Sequence, residues 1–141
     1  MLKVQDIVKT SPHGPISIRP DAPLTEAAGT LQRARIGALV VMDEDKNMRG
    51  ILTERDILRG FATHGAELGD MTVEEIMSLD VVTCSPQDEL QNVMQEMMAG
   101  WFRHMPVVED DDVVGIVSIR DVMLNQLNAL REEAEQLRAQ V

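Results

Sequence analysis

Two short segments of the sequence place a carboxylate three residues after a hydroxyl. In the first, Thr53 precedes Asp56, and in the second, Ser118 precedes Asp121. An ionised carboxylate only accepts hydrogen bonds, so the two neighbouring hydroxyl groups of a vicinal diol are well-matched donors for it. Each pair also follows an apolar run and opens a predicted helix, where the same residues could serve as N-terminal caps. Ligand contact and helix capping are both open interpretations of these residues.

The two segments are copies of one another. Residues 50–56 match residues 115–121 at a constant separation of 65 positions, and residues 20–24 match 86–90 at a separation of 66. The difference makes the second predicted hairpin turn, at 109–112, one residue shorter, and turns tolerate such changes. The sequence therefore predicts an internal duplication. Its matched pairs are Gly50 with Gly115, Thr53 with Ser118, Arg55 with Arg120, and Asp56 with Asp121.

Apolar periodicity predicts the same order of elements in each half. In the first half, residues 16–18 form a short strand, and a helix follows that is ended by Gly37. Two strands, 38–42 and 48–52, form a hairpin, and a second helix covers 56–61. The apolar face of the first helix consists of Leu24, Ala27, Ala28, Leu31 and Ala34.

A connector leads into the second half, where the pattern repeats. Within the connector, Thr72 and Glu75 fit a capping box that starts a short helix through Met77. Residues 81–84 are the next predicted strand, and the helix after it is ended by Gly100. The apolar face of that helix consists of Leu90, Val93, Met94, Met97 and Met98.

The last helix does not stop after Asp121 but continues with an apolar heptad stripe. The stripe consists of Met123, Leu127, Leu130, Ala134, Leu137 and Val141. Two interpretations are open, since the helix could fold onto its own domain or pair with a helix of a second subunit.

Charge and composition limit the classes of function. The net charge of −11 opposes general nucleic-acid binding, which depends on clustered Lys and Arg. Cys84 is the only cysteine, which excludes an intramolecular disulfide and a cysteine-based metal site. His13 and His64 are isolated, so no metal site is expected.

No feature of the sequence indicates a membrane or an enzyme. The N-terminus lacks the apolar core of a signal peptide, and no apolar run approaches the roughly 20 residues that span a bilayer. We therefore expect a cytoplasmic protein that binds neither membrane nor nucleic acid. A catalytic constellation and a phosphate-binding loop are both lacking, so no enzymatic activity and no required cofactor are expected.

Taken together, these motifs resemble the cystathionine-β-synthase (CBS) domain family. The resemblance rests on residues 35–41 with 50–56, on 71–77, and on 103–108 with 115–121. It implies an α/β (α+β) fold of two β-α-β-β-α repeats related by a pseudo-twofold axis, plus an extended C-terminal helix. The expected regions are an N-terminal segment at 1–15, repeat 1 at 16–61, a connector at 62–80, repeat 2 at 81–125, and an amphipathic helix at 126–141.

The resemblance also implies that an adenosine-containing ligand, of the AMP, ADP and ATP class or S-adenosylmethionine, binds in clefts between the two repeats. The aspartates would accept hydrogen bonds from ribose, the hydroxyls would contact ribose or phosphate, and the basic residues would bind phosphate. In repeat 2 the implied residues are Thr83, Arg103, His104, Pro106, Ser118, Arg120 and Asp121. In repeat 1 they are Ser17, Ile18, Ala38, Thr53, Arg55 and Asp56.

The two implied sites differ in their basic residues. Repeat 1 has Gly37 and Ala38 where repeat 2 has Arg103 and His104, so repeat 2 is the better candidate. The leading hypothesis is a non-catalytic sensor, homodimeric as such repeat pairs commonly are, that signals to a separate effector protein by changing shape. The alternative is a ligand-free dimeric interaction module or scaffold that uses the C-terminal helix.

Overall fold

The chain divides into two units, and each contains one of the two sequence repeats. The computed structural model describes residues 1–8 and 15–140. One unit is Pro15–Val81, and the other combines Met1–Gly14 with Val82–Val141. The predictions that lie outside the described residues concern residues 9–14 of the N-terminal segment, among them His13, and the final stripe residue Val141.

The unit Pro15–Val81 is built on a three-stranded sheet in the order β1-β2-β3. β1 pairs parallel with β2, and β2 pairs antiparallel with β3. The helix between β1 and β2 packs its apolar face on the sheet, so that Leu24 and Leu31 share a core cluster with Leu39, Val41 and Leu52. The elements are β1 (Ser17–Ile18), α1 (Leu24–Ala34), β2 (Ala38–Met42) and β3 (Met48–Thr53).

Two helices complete this unit after β3. The helix α2 (Glu54–His64) begins two residues before the predicted start, because Thr53 is its N-cap, and a 3-10 segment (Gly65–Asp70) leads on from its end. The short helix α3 (Val73–Ile76) follows. The capping box predicted at its start is not formed. The Thr72 side chain makes no cap bond, and its hydroxyl donates to the Glu75 carboxylate at 3.3 Å.

The second unit has a two-stranded antiparallel sheet and two helices that share a core cluster with it. Its elements are α4 (Leu90–Gly100), β4 (His104–Glu109), β5 (Asp112–Ser118) and α5 (Ile119–Ala139). The loop between β4 and β5 has positive φ at both Asp110 (51°) and Asp111 (67°), the pattern of a tight two-residue hairpin turn. The polar hairpin turn predicted at this point is therefore confirmed.

The strand predicted at 81–84 is wrong, because only Cys84 pairs with the sheet, as a single parallel bridge to Val107. The Cys84 amide donates to the Pro106 carbonyl (3.0 Å), and the Val108 amide donates to the Cys84 carbonyl (2.8 Å). The next ladder bond would run from the amide of residue 106 to the carbonyl of Val82. Proline has no amide hydrogen, so the ladder stops. The matched position in the first repeat is Val40, and there a two-residue strand forms.

The end of α1 differs from the prediction, since it comes before Gly37, whereas α4 ends at Gly100 as predicted. The residues in the left-handed conformation at the two helix ends are Arg35 and Trp101, with φ of 55° and 58°. The two residues are matched positions of the duplication. Gly100 instead allows close approach, because a Cβ at this position would collide with the ring of Phe102.

The N-terminal segment packs into the second unit. It contains a one-turn 3-10 helix (Val4–Asp6), and Val4 is fully buried in a core cluster with residues of α4, β4, β5 and α5. The Val4 amide donates to the Asp88 carbonyl, and the Leu90 amide donates to the Leu2 carbonyl, both at 2.9 Å. These bonds make the segment part of the second repeat's structure.

The connector occupies the equivalent place in the first unit. Val73 is fully buried in the core cluster that α1 forms with the three-stranded sheet. The Val73 amide donates to the Ala22 carbonyl, and the Leu24 amide donates to the Met71 carbonyl, again at 2.9 Å. Val73 thus takes the position that Val4 has in the other unit, and each repeat is completed by a short helical segment that comes before it in the chain.

The helix α5 is anchored at its first turns and exposed beyond them. Val122 is fully buried and Ile119 packs against the core cluster of its unit, whereas every residue from 130 to 140 is exposed. The predicted stripe is exposed in the single chain, with Met123 and Leu127 each at 52%, Leu130 at 56% and Leu137 at 60%.

Candidate functional site

The junction of β5 and α5 holds the second hydroxyl–carboxylate pair. Ser118 is the N-cap of α5, with an extended backbone (φ −102°, ψ 155°), and its Oγ accepts a hydrogen bond from the Asp121 amide at 3.2 Å. The hydroxyl hydrogen of Ser118 remains available as a donor. Asp121 is exposed, and within the described part of the chain its carboxylate accepts no hydrogen bond and forms no ion pair.

The neighbouring strand brings two basic residues to this junction. His104 lies directly opposite Ser118 in the β4–β5 register, and the Ile119 amide donates to the Arg103 carbonyl at 2.8 Å. Arg103 is exposed and His104 is half-buried. Four of the seven residues predicted for repeat 2 therefore meet at one end of the sheet, and they are Arg103, His104, Ser118 and Asp121.

Strand alternation places Pro106 on the same sheet face as His104 and Ser118. Successive side chains of a strand point to opposite faces, and the core residues Met105 and Val107 define the other face. Ile116, which pairs with Pro106, extends the site face with an apolar side chain.

The remaining two residues predicted for repeat 2 are exposed. Thr83 precedes the bridge residue Cys84, which faces the core, and so lies beside β4. Arg120 is in the first turn of α5, and its side chain leaves the helix about 100° around the axis from that of Asp121. Of these two, Thr83 is the one next to the strand that carries the site.

The matched pair in the first repeat forms a closed capping box. The Thr53 Oγ1 accepts from the Asp56 amide at 3.1 Å, and the Asp56 Oδ2 accepts from the Thr53 amide at 2.9 Å. The Asp56 Oδ1 accepts from the Ser78 hydroxyl at 2.7 Å and from the Arg59 guanidinium at 3.5 Å. Asp56 is 3% exposed. Both of its carboxylate oxygens are thus engaged inside the repeat.

The other residues predicted for repeat 1 are only partly brought together. Ser17 pairs with Val40 and Ala38 pairs with Thr53, so these side chains share the sheet face that lies opposite the core cluster. Ala38 is buried, Ser17 and Arg55 are exposed, and Ile18 packs against the core cluster. The structure therefore does not bring Ile18 to the face that holds Ser17, Ala38 and Thr53.

Ser78 is a residue that the sequence analysis missed. It forms an antiparallel bridge with Ile51, with backbone bonds of 3.0 and 2.9 Å in the two directions, and its hydroxyl reaches Asp56. No local motif marks this serine. Its role depends on a contact across 22 positions, which single-sequence patterns do not register.

Cys84 lies near the candidate site in sequence, but its thiol is unreactive. Burial, with the negative charges of Asp88 and Glu96 as further causes, raises the pKa of its thiol from 9.0 to about 12. The thiolate is the reactive form of cysteine, so Cys84 is protonated and unreactive near neutral pH.

A shallow pocket lies elsewhere in the second unit. It has a volume of about 220 Å³ and borders the exposed stripe of α5. None of its lining residues belongs to the predicted site, and they are Met1, Leu2, Gln91, Gln126, Ala129, Leu130 and Glu133.

Neither a metal-binding cluster nor a membrane-spanning helix occurs within residues 1–8 and 15–140. Histidine, cysteine and carboxylate side chains do not gather there into any group able to hold a metal ion. None of the helices in these ranges has the length and apolarity needed to cross a bilayer.

Comparison with known proteins identifies the family. The family model of the CBS domain matches residues 4–63 and again 73–128. The chain therefore belongs to the CBS domain family and contains two CBS repeats, which confirms the resemblance and the mixed α and β fold drawn from the sequence.

Among sequence relatives, the chain is similar to the Arabidopsis thaliana protein named "CBS domain-containing protein CBSX3, mitochondrial". The two are 33% identical over 125 residues, which cover 86% of this chain and 61% of that protein. The chain thus spans less than two thirds of this relative's length.

Solved structures show the same fold with a C-terminal helix. The CBS-domain protein ATU1752 from Agrobacterium tumefaciens is 36% identical with a TM-score of 0.81, covering 87% of this chain and 90% of that one. The CBS domain pair of MJ0100, described in complex with 5′-methylthioadenosine and S-adenosyl-L-methionine, is 30% identical with a TM-score of 0.79. That alignment covers 93% of this chain and 98% of that one.

Proposed function

We propose that the chain is a regulatory module that binds an adenosine-containing ligand at the β5–α5 junction. The observation that carries the proposal is the Asp121 carboxylate, which is exposed and without a hydrogen-bond partner in the described residues, three positions after the Ser118 hydroxyl. Support comes from the similar MJ0100 pair, which is described in complex with two adenosine compounds. The ligand class is AMP, ADP and ATP or S-adenosylmethionine.

Each residue at the junction has a function that its chemistry supports. Asp121 accepts hydrogen bonds from the two ribose hydroxyls, and Ser118 donates its hydroxyl hydrogen to a ligand oxygen. Arg103 and His104 bind the anionic end of the ligand, which is phosphate in a nucleotide and carboxylate in S-adenosylmethionine. Pro106 lies on the same sheet face but is buried, so its half-buried partner Ile116 offers the apolar surface for the base.

Two more residues contribute from the edges of this site. Thr83 lies beside β4, where its hydroxyl is available to the ligand, and Arg120 adds positive charge from the first turn of α5. Neither makes the hydrogen bond to ribose on which the proposal depends, so substitution of either should weaken binding less than substitution of Asp121.

Occupation of the first repeat is disfavoured by the bonds of Asp56. A ribose that used this carboxylate would have to displace the Ser78 hydroxyl and the Thr53 amide, each of which would then need another partner. The proposal therefore assigns one ligand to each chain. The remaining residues of the second set, Ser17, Ile18, Ala38, Thr53 and Arg55, stay a prediction from the family resemblance.

The proposed role is signalling rather than catalysis. A ligand shifts a protein between two conformations only by the difference in its affinity for them, so the junction must bind one arrangement of the chain more tightly. The change would be read by an effector protein through a homodimer of the chain. A cytoplasmic location stays a prediction from the sequence.

A second candidate function is an interaction module that needs no small molecule. The observation in its favour is the exposed apolar stripe of α5, whose leucines are each more than half exposed. Under this alternative, substitution of Asp121 would change only the stability of the helix start.

A thermal-shift screen of the purified chain against AMP, ADP, ATP, S-adenosylmethionine, NAD and GTP tests the proposal. Ligand at 100 times its Kd stabilises a fold by about 2.7 kcal/mol, which raises Tm by roughly 10 °C for a chain of this size. We expect a shift with at least one adenosine compound and none with GTP. Asp121→Ala should abolish the shift, and Asp80→Ala, which removes an exposed carboxylate of the connector, should keep it. No shift with any adenosine compound at millimolar concentration would reject the proposal.

A further inference from the structure

Beyond its first turn, α5 presents an apolar surface that is exposed in the described chain. The α5 stripe, defined here as Met123, Leu127, Leu130, Ala134 and Leu137, runs along one side of the helix, and all five residues are exposed. Leu124, at 51% exposure, widens the stripe near its start. An apolar strip of this length on a helix is the usual contact surface of a second helix.

The spacing of the stripe fixes a heptad register. Its steps of four, three, four and three residues place Leu127 and Ala134 at a positions and Met123, Leu130 and Leu137 at d positions. The flanking positions are then charged. Arg131 and Arg138 fall at e positions, and Glu133 falls at a g position. In the described part of the chain, none of these three residues forms an ion pair.

These charges discriminate between the two ways in which two copies of α5 could pair. In a parallel pair, a g residue faces the e residue five positions later on the partner, so Glu133 of each helix meets Arg138 of the other. In an antiparallel pair, e positions face e positions, which would bring arginines together. The pattern is complementary only in the parallel arrangement.

We propose that the α5 stripe pairs with the same stripe of a second copy as a short, parallel, two-stranded coiled coil. The inference rests on the homodimer of the proposed function and goes beyond it by naming the surface and the orientation. It does not depend on ligand binding.

The anchoring of the first turns of α5 compensates for the short length of the proposed coiled coil. When an isolated helix pair of two to three heptads associates, the unfavourable free energy of helix formation reduces the stability of the pair. Here the Ser118 cap and the buried Val122 fix the first turns in each single chain, so the helix is already formed. Repulsion is also low, since α5 carries three arginines against four carboxylates in a chain whose net charge is −11.

Disulfide cross-linking tests the orientation. In a parallel pair every a and d residue faces its own copy, whereas in an antiparallel pair at most one position near the centre does so. Leu130→Cys and Leu137→Cys, prepared separately in the full chain, should therefore each form a covalent dimer under mild oxidation. Glu132→Cys, on the opposite side of the helix, is the matched control and should remain monomeric on a denaturing gel. Wild type should also remain monomeric, because Cys84 is buried.

Sedimentation equilibrium of further variants tests the energetics. Leu130→Glu should keep the fold, since the position is exposed, and should raise the dimer Kd at least about 100-fold because two buried leucines are lost per dimer. Arg138→Glu should raise Kd by about 3- to 10-fold, and the double exchange Glu133→Arg with Arg138→Glu should restore it.

Each outcome decides the inference. Cross-linking at both d positions, with recovery in the double exchange, supports it. Cross-linking in only one of the two cysteine variants overturns the inference. The absence of cross-linking in both variants, while wild type sediments as a dimer, also overturns it. In either case the homodimer stays in place. A chain that is monomeric at all concentrations overturns both the inference and the proposed homodimer, whereas ligand binding is decided separately by the thermal-shift screen.

Discussion

Asp56 and Asp121 occupy the same position in the two repeats, yet their environments differ. Asp56 is buried, and its two carboxylate oxygens accept from three donors of its own unit, namely the Thr53 amide, the Ser78 hydroxyl and the Arg59 guanidinium. Asp121 is exposed and its carboxylate has no such partner in the described residues. The motif and its position were predictable from the sequence. The division of roles was not, because it depends on Ser78, a contact from a distant segment.

The two aspartates should therefore differ in their contribution to stability. Asp56→Ala leaves the Thr53 amide and the Ser78 hydroxyl without their acceptor and should lower the free energy of unfolding by about 3 kcal/mol. Asp121→Ala removes only a negative charge at a helix start and should cost less than about 1 kcal/mol. Urea denaturation of both variants measures the difference. Equal losses would contradict the assignment of Asp56 as the structural member of the pair.

Cys84 should make stability fall in alkaline solution. Its pKa is about 12 in the folded chain and near 9.0 when solvated, so the unfolded chain loses this proton first as pH rises. The contribution of the protonated thiol is fully present below pH 9 and is lost between pH 9 and 12, by up to about 1.4 kcal/mol per pH unit. Urea denaturation of wild type and Cys84→Ala at pH 7, 9 and 10 isolates the effect. The difference in unfolding free energy should shrink above pH 9, and a constant difference would show that Cys84 is not buried as described.

Apolar periodicity predicted the helices most accurately, and it predicted the strands at the sheet edges least accurately. The apolar faces of α1 and α4 follow a helical period over 11 residues each, which is long enough to be distinctive. The strand expected at 81–84 has the right composition, but its partner at the critical ladder position is Pro106, which has no amide hydrogen. Pairing partners are set by the tertiary fold, so composition alone could not show this.

Gly50 should be indispensable to the contact between β3 and the connector. A Cβ at this position would lie 2.6 Å from the Ser78 carbonyl oxygen, which cannot move away without breaking the backbone bonds between Ile51 and Ser78. Gly50→Ala should therefore lower the free energy of unfolding by about 2 kcal/mol. Gly69→Ala is the matched control, since a Cβ there meets nothing within 4 Å. Thermal or urea unfolding of the two variants compares them, and similar stability in both would refute the close approach.

At the scale of the whole molecule, the order of the segments along the chain differs from their order in the structure. The N-terminal segment completes the second unit, and the connector completes the first. No sequence pattern joins residues 1–8 to a repeat that starts some 75 positions later. The duplicated backbone bonds of Val4 and Val73 become visible only in the structure.

Val4→Ala should accordingly weaken the second unit and Val73→Ala the first. Each valine is fully buried, so each substitution should cost about 2 kcal/mol. Hydrogen exchange followed by mass spectrometry resolves where the loss falls. Faster exchange in peptides from β4, β5 and α4 is expected for Val4→Ala, and faster exchange in β2 and β3 for Val73→Ala. Faster exchange confined to residues 1–8 in Val4→Ala would contradict the structural role of the segment.

The proposed function requires that each chain binds one adenosine-containing ligand through Asp121. Isothermal titration of the full chain with AMP, ATP and S-adenosylmethionine measures both the affinity and the number of sites. We expect that at least one of these compounds binds with a stoichiometry near one per chain, that Asp121→Ala raises its Kd at least about 100-fold, and that Asp80→Ala leaves it unchanged. Binding that is indifferent to Asp121, or two equivalent sites per chain, would contradict it.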